Sequence, residues 1–179
     1  MRVELAERVA DQLRNHLPLA RELPIDVEAV ALGLGVDEVI RVDGLVEDKR
    51  LEQRDGHVRV LLASRGSAQR QRYTVAHEIG HLLLADPERD TIARRMRSDD
   101  DVERFCDDFA AALLLPRHLT RDEYRQRARG LATVRHLAAR TNSSLAAATV
   151  RLNEVGGWSH ALLHWKRGEH GWQFRWGAG

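Results

Sequence analysis

The distribution of apolar and polar positions predicts a chain that is mostly helical at its start. Residues 3–17 place apolar side chains at helical spacing with charged residues on the opposite face, and Pro18 ends that pattern. Residues 27–32 form a second, shorter apolar run that follows Asp26, a residue type suited to capping a helix, and stops at Gly33. We therefore expect two helices ahead of the first strand.

A small sheet is predicted next. Residues 36–42 and 51–63 read as strands, with Asp55-Gly56 as a hairpin turn between a polar arm, 49–54, and an apolar arm, 58–62. A polar arm is typical of an edge strand. Such an edge could accept an extended substrate through backbone hydrogen bonds, or it could be an ordinary structural hairpin with its edge covered.

The most informative stretch is the apolar helix pattern over residues 73–85. It contains His77, Glu78 and His81, and burying these groups without partners would be costly. His77 and His81 are four residues apart, so their imidazoles lie on one face of a helix and can bind one zinc ion. Glu78 lies about 100° further round the helix, where it can act as general base on a water at the metal. The alternative is a chance pair among the nine histidines of the chain.

A third ligand is expected from a second helix, which begins in the Asp cluster 99–101 and ends before Pro116. Its Asp residues suit N-capping and the helix dipole. We assign Glu103 as the third metal ligand and Asp107 as the carboxylate that accepts the free N–H of a ligating histidine. The alternatives are that Glu103 only favours the helix dipole and that Asp107 is a surface charge.

Three further residues near these helices have predicted roles. Tyr73 lies one turn before His77 and could stabilise an oxyanion, although core packing is the commoner reason for an aromatic residue there. Gly80, in the middle of the helix, predicts close approach of another segment. Cys106, the single cysteine, is expected to be inert packing on the core-facing side of its helix, and Asp108 is expected to face solvent.

The two segments together resemble the ImmA/IrrE family of bacterial metallopeptidases. The resemblance rests on the run from Arg72 to Leu84 and the run from Glu103 to Pro116. It implies a cytoplasmic zinc endopeptidase that cuts a cognate helix-turn-helix (XRE-type) repressor and so derepresses stress, phage or mobile-element genes. The metal would be one Zn²⁺, with Mn²⁺ or another divalent ion as alternatives.

For domain organisation, we expect one zincin-like domain over residues 1–156, with a core at 26–116 and a helical extension at 117–156. Residues 131–152 read as two helices around a break at 141–144, either a helix-turn-helix or an αα-hairpin packed on the core. Residues 157–179 contain all four tryptophans and a hairpin signal at 168–171. This hairpin would pack on the same domain, and its aromatic face would cover the core or bind a partner.

Composition adds only exclusions. A length of 179 residues allows a substantial core, a net charge of +1 indicates no particular partner, and one cysteine excludes a disulfide framework. No apolar stretch reaches membrane-spanning length. The predicted fold class is therefore α+β, mostly helical with a small antiparallel or mixed sheet beside the metal helix. The rival functions are a non-catalytic module that sequesters a repressor, and a DNA-binding regulator that uses residues 131–152.

Overall fold

The structure is a computed structural model that describes residues 2–46, 49–85, 96, 98–156, 162–169 and 171–178. Seven α-helices, five strands and one short 3₁₀ helix, Pro18–Ala20, occur within these residues. The helices are α1 Arg2–His16, α2 Val27–Gly33, α3 Ala68–Ala85, α4 Asp99–Leu114, α5 Arg117–Gln126, α6 Leu131–Thr141 and α7 Leu145–Gly156. The strands are β1 Glu38–Val42, β2 Lys49–Arg54, β3 His57–Ala63, β4 Leu162–Gly168 and β5 Gly171–Ala178. The prediction of a mostly helical α+β chain with a small sheet is confirmed.

The chain divides into two compact units, Met1–Leu114 and Leu115–Gly179. The first unit contains α1 to α4 and the three-stranded sheet. The second contains α5, α6, α7 and the hairpin of β4 and β5. None of the described helices combines the length and the apolar character needed to cross a membrane.

The sheet of the first unit is mixed, with β3 in the middle, β1 parallel to it and β2 antiparallel to it. The turn between β2 and β3 holds Asp55 and Gly56 at φ values of 52° and 80°. Positive φ at both central residues is the requirement of a two-residue hairpin turn, which Asp-Gly meets at low cost. Because β2 pairs only with β3 in this three-stranded sheet, the polar strand β2 lies at an edge, as its composition predicted.

The core of the first unit is built where α4 packs against α3 and α1. Phe105 and Phe109 of α4 are fully buried with their rings 6.3 Å apart. Gly80 of α3 faces Cys106 so closely that an added Cβ would lie 3.1 Å from the Cα and Sγ atoms of Cys106. The prediction that Gly80 permits close approach of another segment is confirmed, and this approach brings α3 and α4 together at the site.

Capping side chains begin three of these helices. Asp26 accepts a hydrogen bond from the third residue of α2, and Ser67 accepts one from the third residue of α3. The predicted capping of α4 by the Asp cluster is wrong, because Ser98 accepts the corresponding hydrogen bond. The cluster instead occupies the first turn, where negative charge favours the helix dipole. Asp108, expected to face solvent, is half-buried and paired with Arg2 at 2.7 Å.

The second unit contains the predicted pair of helices, α6 and α7, joined at Asn142 to Ser144. Asn142 adopts the left-handed conformation, with φ 48°, that commonly ends a helix. The buried apolar residues of the second unit include Leu119, Leu137 and Leu152.

The predicted C-terminal hairpin is also present, with β4 antiparallel to β5. Trp165 and Phe174 are cross-strand partners in edge-to-face contact, and about half of each side chain is exposed. Trp172 is also exposed. Trp158, at the start of the predicted tail, lies outside the described residues.

Candidate metal centre

Helix α3 places three of the predicted site residues. His77 and Glu78 are buried, with 5% and 3% of their surfaces exposed, and His81 is partly exposed. The four-residue spacing puts the Nε2 atoms of His77 and His81 3.1 Å apart. The Nε2 atoms of the two imidazoles therefore face the same small region, where both could bind one metal ion.

A carboxylate from α4 reaches that region. Oε2 of Glu103 lies 3.2 Å from Nε2 of His77, and Oε1 lies 3.1 Å from Nε2 of His81. Three potential metal-binding groups, two from α3 and one from α4, are thus brought together.

Asp107, one turn further along α4, binds the other side of the first imidazole. Its Oδ1 atom lies 2.8 Å from Nδ1 of His77 and accepts a hydrogen bond from the Tyr73 hydroxyl at 3.0 Å. The hydrogen bond from His77, helped by that from Tyr73, outweighs burial and lowers the pKa of Asp107. An ionised Asp107 can only accept, so Nδ1 of His77 donates to it and Nε2, which faces Glu103, is the ring nitrogen available for a metal.

This donor set fits a divalent cation. Two imidazole lone pairs and a carboxylate repel one another when they converge without a proton or cation between them. Ligands held 2.0–2.1 Å from zinc at tetrahedral angles lie about 3.3 Å apart. The observed separations of 3.1, 3.1 and 3.2 Å are close to that value. Burial is the main reason that the pKa of His81 is lowered, which favours the neutral, metal-binding form.

Two more groups border the three donors. The thiol of Cys106 forms a cluster with His77 and His81 in which the potential ligand atoms lie within 4.8 Å of one another. Burial, with the nearby charge of Glu103, raises the pKa of this thiol to about 12, so it is a neutral thiol at physiological pH. The ammonium of Lys49, on strand β2, lies 2.9 Å from Oε1 of Glu78 and 3.9 Å from Oε2 of Glu103.

A cavity of about 270 Å³ opens beside these groups. Its walls combine the edge strand β2, the polar face of α3 and the carboxylates of α4. The lining residues are Lys49, Arg70, Tyr73, Thr74, His77, Glu103 and Asp107. The candidate site is therefore reachable from outside the protein.

The family comparison agrees with this geometry. The model of the peptidase M78 family, described as the IrrE N-terminal-like domain, matches residues 38–153, which is more than half of the chain. The chain belongs to this family. Its resemblance to ImmA/IrrE metallopeptidases is confirmed, and the α+β, zincin-like fold class agrees with the match. A search of curated proteins finds no match.

Membership of this metallopeptidase family supports a divalent metal and a protein substrate. The matched residues include Lys49, the two histidines of the site, Glu103 and Asp107. The structure assembles these groups from three separate elements, β2, α3 and α4. The assignment of individual roles to these groups remains a prediction.

Lys49 is the site residue that sequence reasoning missed, since it was taken only as part of a polar strand. One signal was available. The chain contains two lysines, Lys49 and Lys166, among 28 basic residues, so a lysine on a strand beside the metal helix is unusual for this composition. Nothing local, however, indicates that this side chain reaches Glu78, because the two residues are brought together only by the packing of β2 beside α3.

Proposed function

We propose that this M78-family protein is a zinc-dependent endopeptidase in which His77, His81 and Glu103 hold the metal and Glu78 is the general base. The observation that supports it best is the convergence of two imidazole nitrogens and one carboxylate within 3.2 Å, next to a buried glutamate. Three protein ligands leave a coordination position for water or substrate, whereas structural zinc is normally closed by four.

When bound, a zinc ion at this position lowers the pKa of a water molecule and polarises a peptide carbonyl. Glu78 accepts the proton that this water loses as it attacks the carbonyl carbon. The same carboxyl group then donates the proton to the nitrogen of the leaving amine, and the peptide bond breaks. Asp107, itself held by Tyr73, keeps the His77 ring in the orientation and tautomer needed for ligation.

An extended substrate is expected to lie along β2. This strand is at the edge of the sheet, and its first residue, Lys49, lines the cavity beside His77. Backbone groups on an edge strand can pair with an added peptide strand. A peptide bound there would place a backbone carbonyl close to the proposed metal.

The substrate we propose is a helix-turn-helix (XRE-type) repressor, whose cleavage would derepress stress, phage or mobile-element genes. This part of the proposal rests on the resemblance to ImmA/IrrE proteins and on family membership. It is a separate step from the chemistry, because the site geometry is that of a peptidase in general.

The experiment is to co-express the chain with a helix-turn-helix regulator encoded beside it and to follow the regulator by mass spectrometry. We expect a discrete cut by the native chain and none by Glu78→Gln, since an amide cannot accept the proton. Glu22→Gln, which removes an exposed carboxylate, is the matched control and should cut normally. Zinc binding by Glu78→Gln, measured by titration, should be retained.

Other outcomes separate the proposal from its rivals. Equal derepression by the native chain and Glu78→Gln, with an intact regulator, would support sequestration instead of cleavage. Salt-dependent, sequence-selective binding of duplex DNA by the protein alone would support a DNA-binding regulator that uses residues 131–152. Cutting of other peptides but not of this regulator would retain the chemistry and reject the partner.

A further inference from the structure

The ion pair between Lys49 and Glu78 has a feature that a surface pair would lack. Nζ of Lys49 and Oε1 of Glu78 lie 2.9 Å apart, and both atoms are shielded from solvent. Neither atom has a hydrogen-bond partner elsewhere among the described residues. The buried Glu78 oxygen is therefore compensated by the Lys49 ammonium, which also lies near Oε2 of Glu103.

That dependence restricts the glutamate. A buried carboxylate oxygen is strongly destabilised unless a cation or hydrogen-bond donor satisfies it. Because Oε1 is paired with Lys49, turning the carboxylate so that neither oxygen faces the ammonium would separate two buried charges. The other oxygen, Oε2, is thus the one left for proton transfer to and from the reacting groups.

The lysine also stands at a particular place in the sheet. Lys49 is the first residue of edge strand β2 and pairs with Leu62 of β3. Its side chain extends from that strand to the base on α3, and its ammonium also lies 3.9 Å from Glu103. Lys49 therefore connects two parts of the proposed site. One is strand β2, where the substrate is expected to bind, and the other is Glu78, which is expected to transfer the proton.

We propose that Lys49 is a positioning residue that holds one oxygen of Glu78, so that the other faces the reacting water, and that it ties the base to the substrate-binding edge strand. This proposal rests on the proposed peptidase function for its kinetic consequence. The ion pair itself can be tested without any peptidase activity.

The first test uses the fact that the chain has only two lysines. Protein labelled with carbon-13 at the lysine side chains should give two Cε signals by NMR, assigned with Lys49→Arg. We expect Glu78→Gln to shift the Lys49 signal and to leave the Lys166 signal, on the hairpin strand β4, unchanged. Unchanged signals for both lysines in Glu78→Gln would overturn the ion pair and with it the proposal.

The second test is kinetic and uses a fluorogenic peptide selected from a library by cleavage with the native chain. We expect Lys49→Met to reduce kcat at least tenfold with less than a twofold change in KM, because Glu78 loses its orientation while the peptide still binds. Lys49→Arg should restore part of the kcat, since it keeps a cation. Lys166→Met is the matched control and should have native kinetics.

Two readouts distinguish positioning from general damage. Zinc affinity of Lys49→Met, measured by competition with a chromophoric chelator, should stay within threefold of the native value. A kcat for Lys49→Met equal to the native one, or equal losses in Lys49→Arg and Lys49→Met, would overturn the positioning role. If the native chain cuts no peptide, the peptidase proposal and this kinetic role fail together, and the NMR test still decides whether Lys49 holds Glu78.

Discussion

Nδ1 of His77 and Oδ1 of Asp107 lie 2.8 Å apart, so the proposed ligand is held from the side opposite its metal-binding nitrogen. The same Asp107 oxygen also accepts from Tyr73 at 3.0 Å. Tyr73 is part of this support in the structure, and its raised pKa, caused mainly by burial and by the charge of Asp107, keeps its hydroxyl protonated as a donor. Metal affinity should therefore depend on a residue that is not itself proposed to touch the metal.

Asp107→Asn is expected to weaken zinc binding by roughly 10- to 100-fold, the usual effect of losing the hydrogen-bond partner of a ligating histidine. The asparagine can still occupy the space, but it is neutral and can present an amide donor to Nδ1. Competition with a chelator of known affinity measures the change. Asp108→Asn, which alters the neighbouring carboxylate paired with Arg2, should bind zinc normally. Native affinity in Asp107→Asn would argue against His77 as a ligand oriented in this way.

Metal removal should lower the stability of the first unit. A ligand present at 1,000 times its dissociation constant, and bound only by the folded state, adds about 4 kcal/mol to the free energy of unfolding. Urea melts followed by far-ultraviolet circular dichroism, with zinc or with a chelator, measure this difference. His81→Ala should show little response to zinc, while Asp100→Asn, a change on the surface of α4, should respond like the native chain. An equal zinc response in His81→Ala would place the ion elsewhere.

Gly80→Ala should destabilise the protein although alanine is the better helix former. The propensity gain is about 1 kcal/mol, and overpacking typically costs about 1–3 kcal/mol. The overpacking cost should exceed the propensity gain, because the added Cβ would lie 3.1 Å from the Cα of Cys106, a backbone atom. Urea melts provide the measurement. Gly33→Ala is the control, since its Cβ would meet only a Leu17 methyl at 3.9 Å and should be neutral or stabilising. A more stable Gly80→Ala would show that α4 can move away from α3.

The second unit should lose stability in acid through Glu123. Burial opposes ionisation of this carboxylate, but hydrogen bonds from Arg140 and Arg127, at 2.7 and 2.6 Å, hold its pKa below the ordinary value. A lowered folded-state pKa means that the stabilisation is complete above the ordinary glutamate pKa of about 4.3. It is lost as the pH falls through the lower pKa of the folded protein.

Glu123→Gln should therefore cost about 1–3 kcal/mol at neutral pH and show a smaller further loss in acid. All four tryptophans lie between residues 158 and 176, so tryptophan fluorescence reports this unit in urea melts at several pH values. Asp122→Asn, which changes the exposed carboxylate next to Glu123 on α5, should change stability by less than about 1 kcal/mol. The same acid dependence in Glu123→Gln and the native chain would contradict this assignment.

Much of the local structure follows from the sequence alone. The Asp-Gly turn, the Asp26 and Ser67 caps, and the helix carrying His77 and His81 depend on neighbours within a few residues. Backbone geometry relates such neighbours in a repeating way, so a four-residue spacing already places two imidazoles on one face. The position of Ser98 as the cap of α4 was missed because four adjacent residues are all good caps, and local composition does not choose among them.

Contacts between distant elements were decided only by the tertiary structure. A helix pattern indicates which face of α4 is apolar, but the depth to which α4 packs on α3 depends on Gly80 and Cys106 meeting closely. That depth brings Glu103 to both histidines, and the packing of β2 beside α3 brings Lys49 to Glu78. The sequence by itself determined the helices, the turns and the paired histidines, because these obey local periodicity. Glu103 could be named as the third ligand from the sequence, but its distance from the histidines and the lysine beside the base depend on how whole elements pack. No spacing along the chain encodes those distances.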